Sequence, residues 1–117
     1  MKKIYHLSTC DTCKKILAEL GPPSSFILQD VKDTPVTEEQ LEEMHQFTQS
    51  YEALVNKRAR LYKDKDLKND DLDEEAYKIL ILGHYTFLKR PVIINNDKIF
   101  IGNSRKTVEA AKESLNE

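Results

Sequence analysis

The fold turns on residues 2–28, KKIYHLSTCDTCKKILAELGPPSSFIL. Residues 2–7 are short and rich in β-formers, and Ser8 and Thr9 make a turn before a helical periodicity begins. In that helix Cys13, Ile16, Leu17 and Leu20 share one face. Gly21-Pro22-Pro23 ends it, because glycine accepts the left-handed cap and neither proline can continue a helix. Phe26-Ile27-Leu28 then reads as a brief buried strand. A β-α-β unit of this length requires parallel neighbouring strands joined by a right-handed crossover. It also puts Cys10 at the junction of strand and helix.

Downstream, Thr37-Glu-Glu-Gln40 is a capping-box start, and Leu41, Met44, Phe47 and Tyr51 follow at the spacing of an amphipathic helix. A second helical piece carries Leu54 and Val55. Residues 63–75 are nearly all charged with mixed sign and predict a solvated connector leading to a helix capped by Asp73. Ala76, Ile79 and Leu80 supply that helix's buried stripe, and Gly83 stops it. After Arg90-Pro91 the pattern becomes β again: residues 92–94, a turn at residues 95–97, and residues 99–101 form an antiparallel hairpin. A last helix starts at Ser104 with Val108, Ala111 and Leu115 inward. The order β-α-β, an all-helical insert over about 37–84, then β-β-α fits a mixed four-stranded sheet with helices packed on it, an α/β fold. The core would span about 1–36 and 85–117.

The 117 residues, 39% apolar and 32% charged, suffice for one modest core, so one domain must hold the whole site. A net charge of −2 leaves no basic face to follow a phosphate backbone, which argues against direct nucleic-acid binding. No apolar run approaches the roughly 20 residues of a membrane span, and Met1-Lys2-Lys3 opens no signal peptide. The expectation is a soluble, cytoplasmic protein without membrane contact. Cys10 and Cys13 are the only cysteines, too few for a secreted disulfide framework, and they form one tight C-x-x-C.

A cysteine opening a helix faces unpaired N–H groups and the positive end of the helix dipole, both of which favour its thiolate. Cys13, one turn on, is placed to resolve a mixed disulfide on Cys10. Lys14 and Lys15 add positive charge and Asp11 opposes it. The plainer reading makes the pair small core residues or two zinc ligands. Zinc needs four ligands, and the other candidates, His6, His45 and His84, are scattered, so no metal is expected. Arg90-Pro91 marks a fixed bend at a strand entrance. Arg90 is either a solvated turn residue or, facing Cys10, a fork for an oxyanion or carboxylate. His6 is either a packing residue or a stabiliser of the thiolate. Lys57, Arg58 and Arg60 form a solvated basic face or an anion contact.

Tyr5-His6, Cys10-Asp-Thr-Cys-Lys-Lys15, Glu52-Ala-Leu-Val-Asn-Lys-Arg58, Lys89-Arg-Pro91 and Gly102-Asn-Ser104 stand in register over nearly the whole chain. Together they resemble the arsenate reductase (ArsC)/Spx family, most of all its short YffB-type branch. The resemblance implies a thioredoxin-like (glutaredoxin-like) fold interrupted by a helical subdomain, a nucleophilic Cys10, and a cis Arg90-Pro91 bond facing it. In the arsenate reductases of this family one cysteine attacks arsenate, three arginines hold the oxyanion, and glutathione with glutaredoxin returns the electrons. Cys10, His6 and Arg90 match that set; Asn56 and Gly102 stand where the other two arginines belong. Arg58 and Arg105 are the candidates to compensate.

Cys13 departs from that branch and looks like the C-x-x-C of the Spx regulators, thiol switches acting on RNA polymerase. Gln49-Ser50 stands where those carry a glycine, and the C-terminal tail is short. The resemblance therefore implies a thiol-disulfide oxidoreductase with no tightly bound cofactor and glutathione as co-substrate. Its substrate would be a small oxyanion or a thiol compound, and its redox partner glutaredoxin or thioredoxin. The alternative is a redox-responsive regulator binding RNA polymerase.

Overall fold

A computed structural model describes residues 1–64 and 72–116. Four strands, β1 (Lys2–His6), β2 (Ile27–Asp30), β3 (Val92–Asn95) and β4 (Lys98–Ile101), form one sheet in the order β2-β1-β3-β4. Strand β1 is parallel to β2 and antiparallel to β3, and β3 and β4 are an antiparallel hairpin. The sheet is thus mixed, as expected from the order of elements. Helices α1 (Asp11–Leu20) and α5 (Arg105–Leu115) pack on one face, burying Ile4 and Ile93 of the sheet against Ile16, Leu20, Phe26, Val108 and Ala111. Gly21 caps α1 at φ 52°, the left-handed conformation that the turn demands. Ser104 caps α5 by accepting from the Thr107 N–H.

The chain divides into two compact units, Met1–Thr34 with Arg90–Glu117, and Pro35–Lys89. The second holds α2 (Glu38–Thr48), α3 (Arg60–Asp64), α4 (Glu74–Gly83) and two 3-10 segments, Glu52–Leu54 and Tyr85–Phe87. The capping box at Thr37 and Gln40 is formed in both directions, and Asp73 caps α4 through the Ala76 N–H. No helix among the described residues is long and apolar enough to cross a membrane.

Several expectations need correction. The strand after α1 is Ile27–Asp30, one residue later than its apolar triplet. Phe26 is buried just before it, while Ile27 and Leu28 are 62% and 49% exposed, because β2 is an edge strand with a neighbour on one side only. Helix α2 ends at Thr48, with Gln49 left-handed at φ 55°. Phe47 is consequently exposed, and Tyr51 is buried from beyond the helix. The segment with Leu54 and Val55 is a single 3-10 turn, after which Val55 bridges to Leu88 in extended form. In α4 the buried residues are Tyr77 and Ile81, where Ala76, Ile79 and Leu80 were expected. The stripe is set by the larger Tyr77, and it leaves Ile79 61% exposed. The charged connector over 63–75 falls partly outside the described residues; Lys63 is helical in α3 and Glu74 and Glu75 open α4.

Removing a buried side chain costs the transfer energy and leaves a cavity. Ile93→Ala is therefore expected to lower unfolding free energy in urea by about 2–5 kcal/mol, and Ile79→Ala by no more than about 0.5 kcal/mol. A large loss at position 79 would return the α4 stripe to where the pattern put it.

Candidate functional site

Strand β1 ends at His6, and the chain turns through Leu7–Cys10 with the Cys10 N–H donating to the Leu7 carbonyl at 3.0 Å. Cys10 is then the N-cap of α1, extended at φ −96° and ψ 114°, and its carbonyl accepts the first helical bond from the Lys14 N–H at 3.1 Å. Its thiol makes no full cap hydrogen bond. It lies instead in the field of the open N–H groups of the first turn.

The two thiols are both free and differ sharply. Partial burial pushes the Cys10 thiol up, but the backbone N–H of Cys13, the Cys13 thiol, the Arg90 guanidinium and the backbone N–H of Thr12 outweigh it. Cys10 is held below the ordinary thiol value. Cys13 faces the core at 1% exposure. Burial raises its pKa to about 11; a Leu7 backbone hydrogen bond opposes this, while the charge on Cys10 adds to it. Of the two, Cys10 is the thiol that ionises first, and the Cys13 thiol, still protonated there, donates to it.

Arg90 acts electrostatically on both thiols from the entrance of β3. Its peptide bond to Pro91 is cis, and Pro91 is buried, with its carbonyl accepting from the Gly102 N–H at 3.0 Å. Of the two readings of Arg90, the structure has its charge acting on Cys10 and Cys13. His6 stands at the end of β1, in register with Asp30 of β2. Lys14 is exposed on the first turn of α1. Asn56 and Arg58 belong to the other unit, where Asn56 Oδ1 accepts from the Arg58 N–H at 3.1 Å and the Asn56 N–H donates to the Phe87 carbonyl at 2.7 Å. Among the described residues no group of three His, Cys, Asp or Glu side chains is arranged to hold a metal.

Sequence reading missed Asp30 and the role of Ser8. The Asp30 carboxylate accepts from the Ser8 N–H at 3.2 Å, from the Ser8 hydroxyl, and from the Lys32 N–H at 3.2 Å. Ser8 reads as a generic turn residue, and nothing in the spacing links it to a carboxylate 22 positions away. The β1–β2 register makes the link.

The ArsC family model matches residues 5–111. Among characterised relatives, the chain is 28% identical over 113 residues to an arsenate reductase of Neisseria meningitidis serogroup A, covering 92% of this chain and 95% of that protein. It is 21% identical over 107 residues to the global transcriptional regulator Spx 2 of Bacillus cereus, covering 90% and 82%. The solved arsenate reductase from Vibrio cholerae superposes with a TM-score of 0.76 at 22% identity, covering 97% of each chain, which extends the likeness to the whole fold. The matched stretch includes both cysteines, the Arg-Pro bend and both units described above, and on that ground the chain belongs to the ArsC family.

Proposed function

We propose that the protein is a thiol-disulfide oxidoreductase in which Cys10 is the nucleophile and Cys13 the resolving thiol. The observation that carries this reading is the split between the two sulfurs. One is a lowered thiol at a helix N-terminus beside Arg90, and the other is a raised, buried thiol one turn away. The Cys10 thiolate attacks one sulfur of a substrate disulfide; the S–S bond breaks, and the departing thiolate takes up a proton. The Cys10 negative charge has then gone, and with it one of the influences that hold Cys13 protonated. Cys13 loses its proton, attacks Cys10 Sγ and releases the second substrate thiol. Two electrons have passed to the substrate and a Cys10–Cys13 disulfide remains. Two equivalents of glutathione, or a dithiol protein of the glutaredoxin or thioredoxin type, return them.

With arsenate the same thiolate displaces hydroxide, which leaves as water, and attack by Cys13 on Cys10 Sγ releases the reduced arsenic species. Arg90 holds the anionic group of either substrate. Only one of the family's three arginine positions is an arginine here, which favours the disulfide substrate over the oxyanion. Free thiols of this kind suit the reducing cytosol.

The second reading is a redox-responsive regulator binding RNA polymerase, favoured by the C-x-x-C itself and by the likeness to an Spx protein. It uses the same oxidation once per activation. Multiple turnover with glutathione or a dithiol separates the enzyme from the switch, which consumes one stoichiometric equivalent of oxidant and retains a polymerase partner.

Because the Cys10 pKa is lowered, its thiolate is present above that pKa and lost on acidification through it. The alkylation rate at Cys10 is expected to level off at a lower pH than that of an ordinary thiol, which is half ionised at about pH 8.5. Arg90→Gln should shift the profile to higher pH. A wild-type profile centred at or above the ordinary value would sink the nucleophile assignment. Cys13→Ser should accumulate a mixed disulfide at Cys10, seen as an adduct by intact mass; turnover at the full rate would exclude a resolving role.

A further inference from the structure

The turn that presents Cys10 contains neither glycine nor proline, and Ser8 and Thr9 within it are exposed. One backbone bond, from the Cys10 N–H to the Leu7 carbonyl, closes it. Its other anchor comes from β2. Asp30 lies opposite His6 in the parallel register, and the Val31 N–H donates to the His6 carbonyl at 2.9 Å, which aligns the ends of the two strands. From there one carboxylate takes both donors of Ser8, its N–H and its hydroxyl, so the backbone and the side chain of residue 8 are fixed together. The same carboxylate accepts from the Lys32 N–H, and the Asp30 carbonyl from the Thr34 N–H at 2.8 Å, so the anchor is itself held. Hydrogen bonds to an ionised carboxylate are about twice as strong as neutral ones.

We propose that Asp30, acting through Ser8, is a positioning residue for the nucleophile: the brace sets where the β1–α1 turn delivers Cys10 Sγ relative to the first turn of α1. This rests on the nucleophilic reading of Cys10. The brace matters because the field of a helix N-terminus fades within one turn, so a small displacement of the sulfur forfeits much of it. Asp30 also has an opposing effect. Its negative charge, acting through space, disfavours the Cys10 thiolate, and the hold through Ser8 is the route by which Asp30 favours it. The two effects have opposite signs, and substitutions separate them.

The test is the pH profile of iodoacetamide alkylation of the reduced, full-length protein, with the label mapped to Cys10 by fragmentation and a melting curve for each variant. Ser8→Ala keeps the charge and removes the hydroxyl bond. It is expected to raise the apparent Cys10 pKa by about half a unit, slowing alkylation about threefold below the pKa. Ser8→Thr retains the hydroxyl and should restore the wild-type profile. Asp30→Asn should also move the pKa upward, against the fall that loss of a nearby negative charge alone produces. The proposal is overturned if Ser8→Ala titrates like wild type, with or without a lower melting temperature. It is equally overturned if Ser8→Thr shifts as far as Ser8→Ala, or if Asp30→Asn lowers the pKa. A wild-type Cys10 with an ordinary pKa is a different failure: it removes the nucleophile itself.

Discussion

Strand β1 is hydrogen-bonded along both edges, to β2 in parallel and to β3 in antiparallel register, and the chemistry of the first unit hangs from its C-terminal end. Ile4 and Tyr5 are 0% and 1% exposed, so the strand cannot slide without moving its whole set of side chains to the wrong face. That constraint decides where the chain emerges at Leu7, and hence where α1 begins. With β1 fixed, β2 carries Asp30 alongside the turn before Cys10, and β3 carries Arg90 and Pro91 at its entrance. The core formed by Ile4, Ile93, Ile16, Val108 and Ala111 keeps α1 seated on the sheet, so the helix N-terminus stays where the thiol meets it.

The difference between the two cysteines follows from this placement and needs no unusual group. They lie one helical turn apart, yet Cys10 caps the helix and Cys13 faces the core. Desolvation opposes ionisation at both. At Cys10 it is outweighed by N–H groups, the Cys13 thiol and the Arg90 charge; at Cys13 it is reinforced by the neighbouring sulfur's charge. Under the proposed function the pair has an order of events, since reaction at Cys10 removes a charge that holds Cys13 protonated. That order serves an enzyme and a switch equally well, and a family containing both reductases and regulators is physically unsurprising.

Polar contacts set the register of the short elements of the second unit. The Glu74 carboxylate, in the first turn of α4, accepts from the Tyr51 N–H at 2.8 Å and the Glu52 N–H at 3.1 Å, and so caps the 3-10 turn from outside. Lys78 lies between Glu38 at 3.1 Å and Glu42 at 3.3 Å, tying α4 to α2. Exposed pairs of this kind contribute little singly. Their value here is registry, because they fix which faces of short helices meet. Tyr51 lies beyond the left-handed Gln49 that ends α2, and it is buried with its N–H donated to Glu74.

Local chemistry is what the sequence by itself determined. The caps at Thr37, Asp73 and Ser104, the glycine stop at Gly21, the hairpin after Pro91 and the thiol at the start of α1 each depend on residues within one turn of one another, and each was legible. So were the mixed sheet and the placing of the helices within an insert, because the element order permits few arrangements. Burial is less legible wherever it depends on distant neighbours. Ile27 and Leu28 look like core residues until the sheet order leaves β2 at an edge. Ile79 looks buried until Tyr77 claims the inner face of α4. The candidate site divides in the same way. Cys10 and Cys13 are written in one motif, but Arg90 reaches them only through the β1–β3 pairing, and Asp30 reaches Ser8 only through the β1–β2 register. Residues separated by tens of positions carry no spacing that reveals their meeting, and strand registry alone, a tertiary property, supplies it.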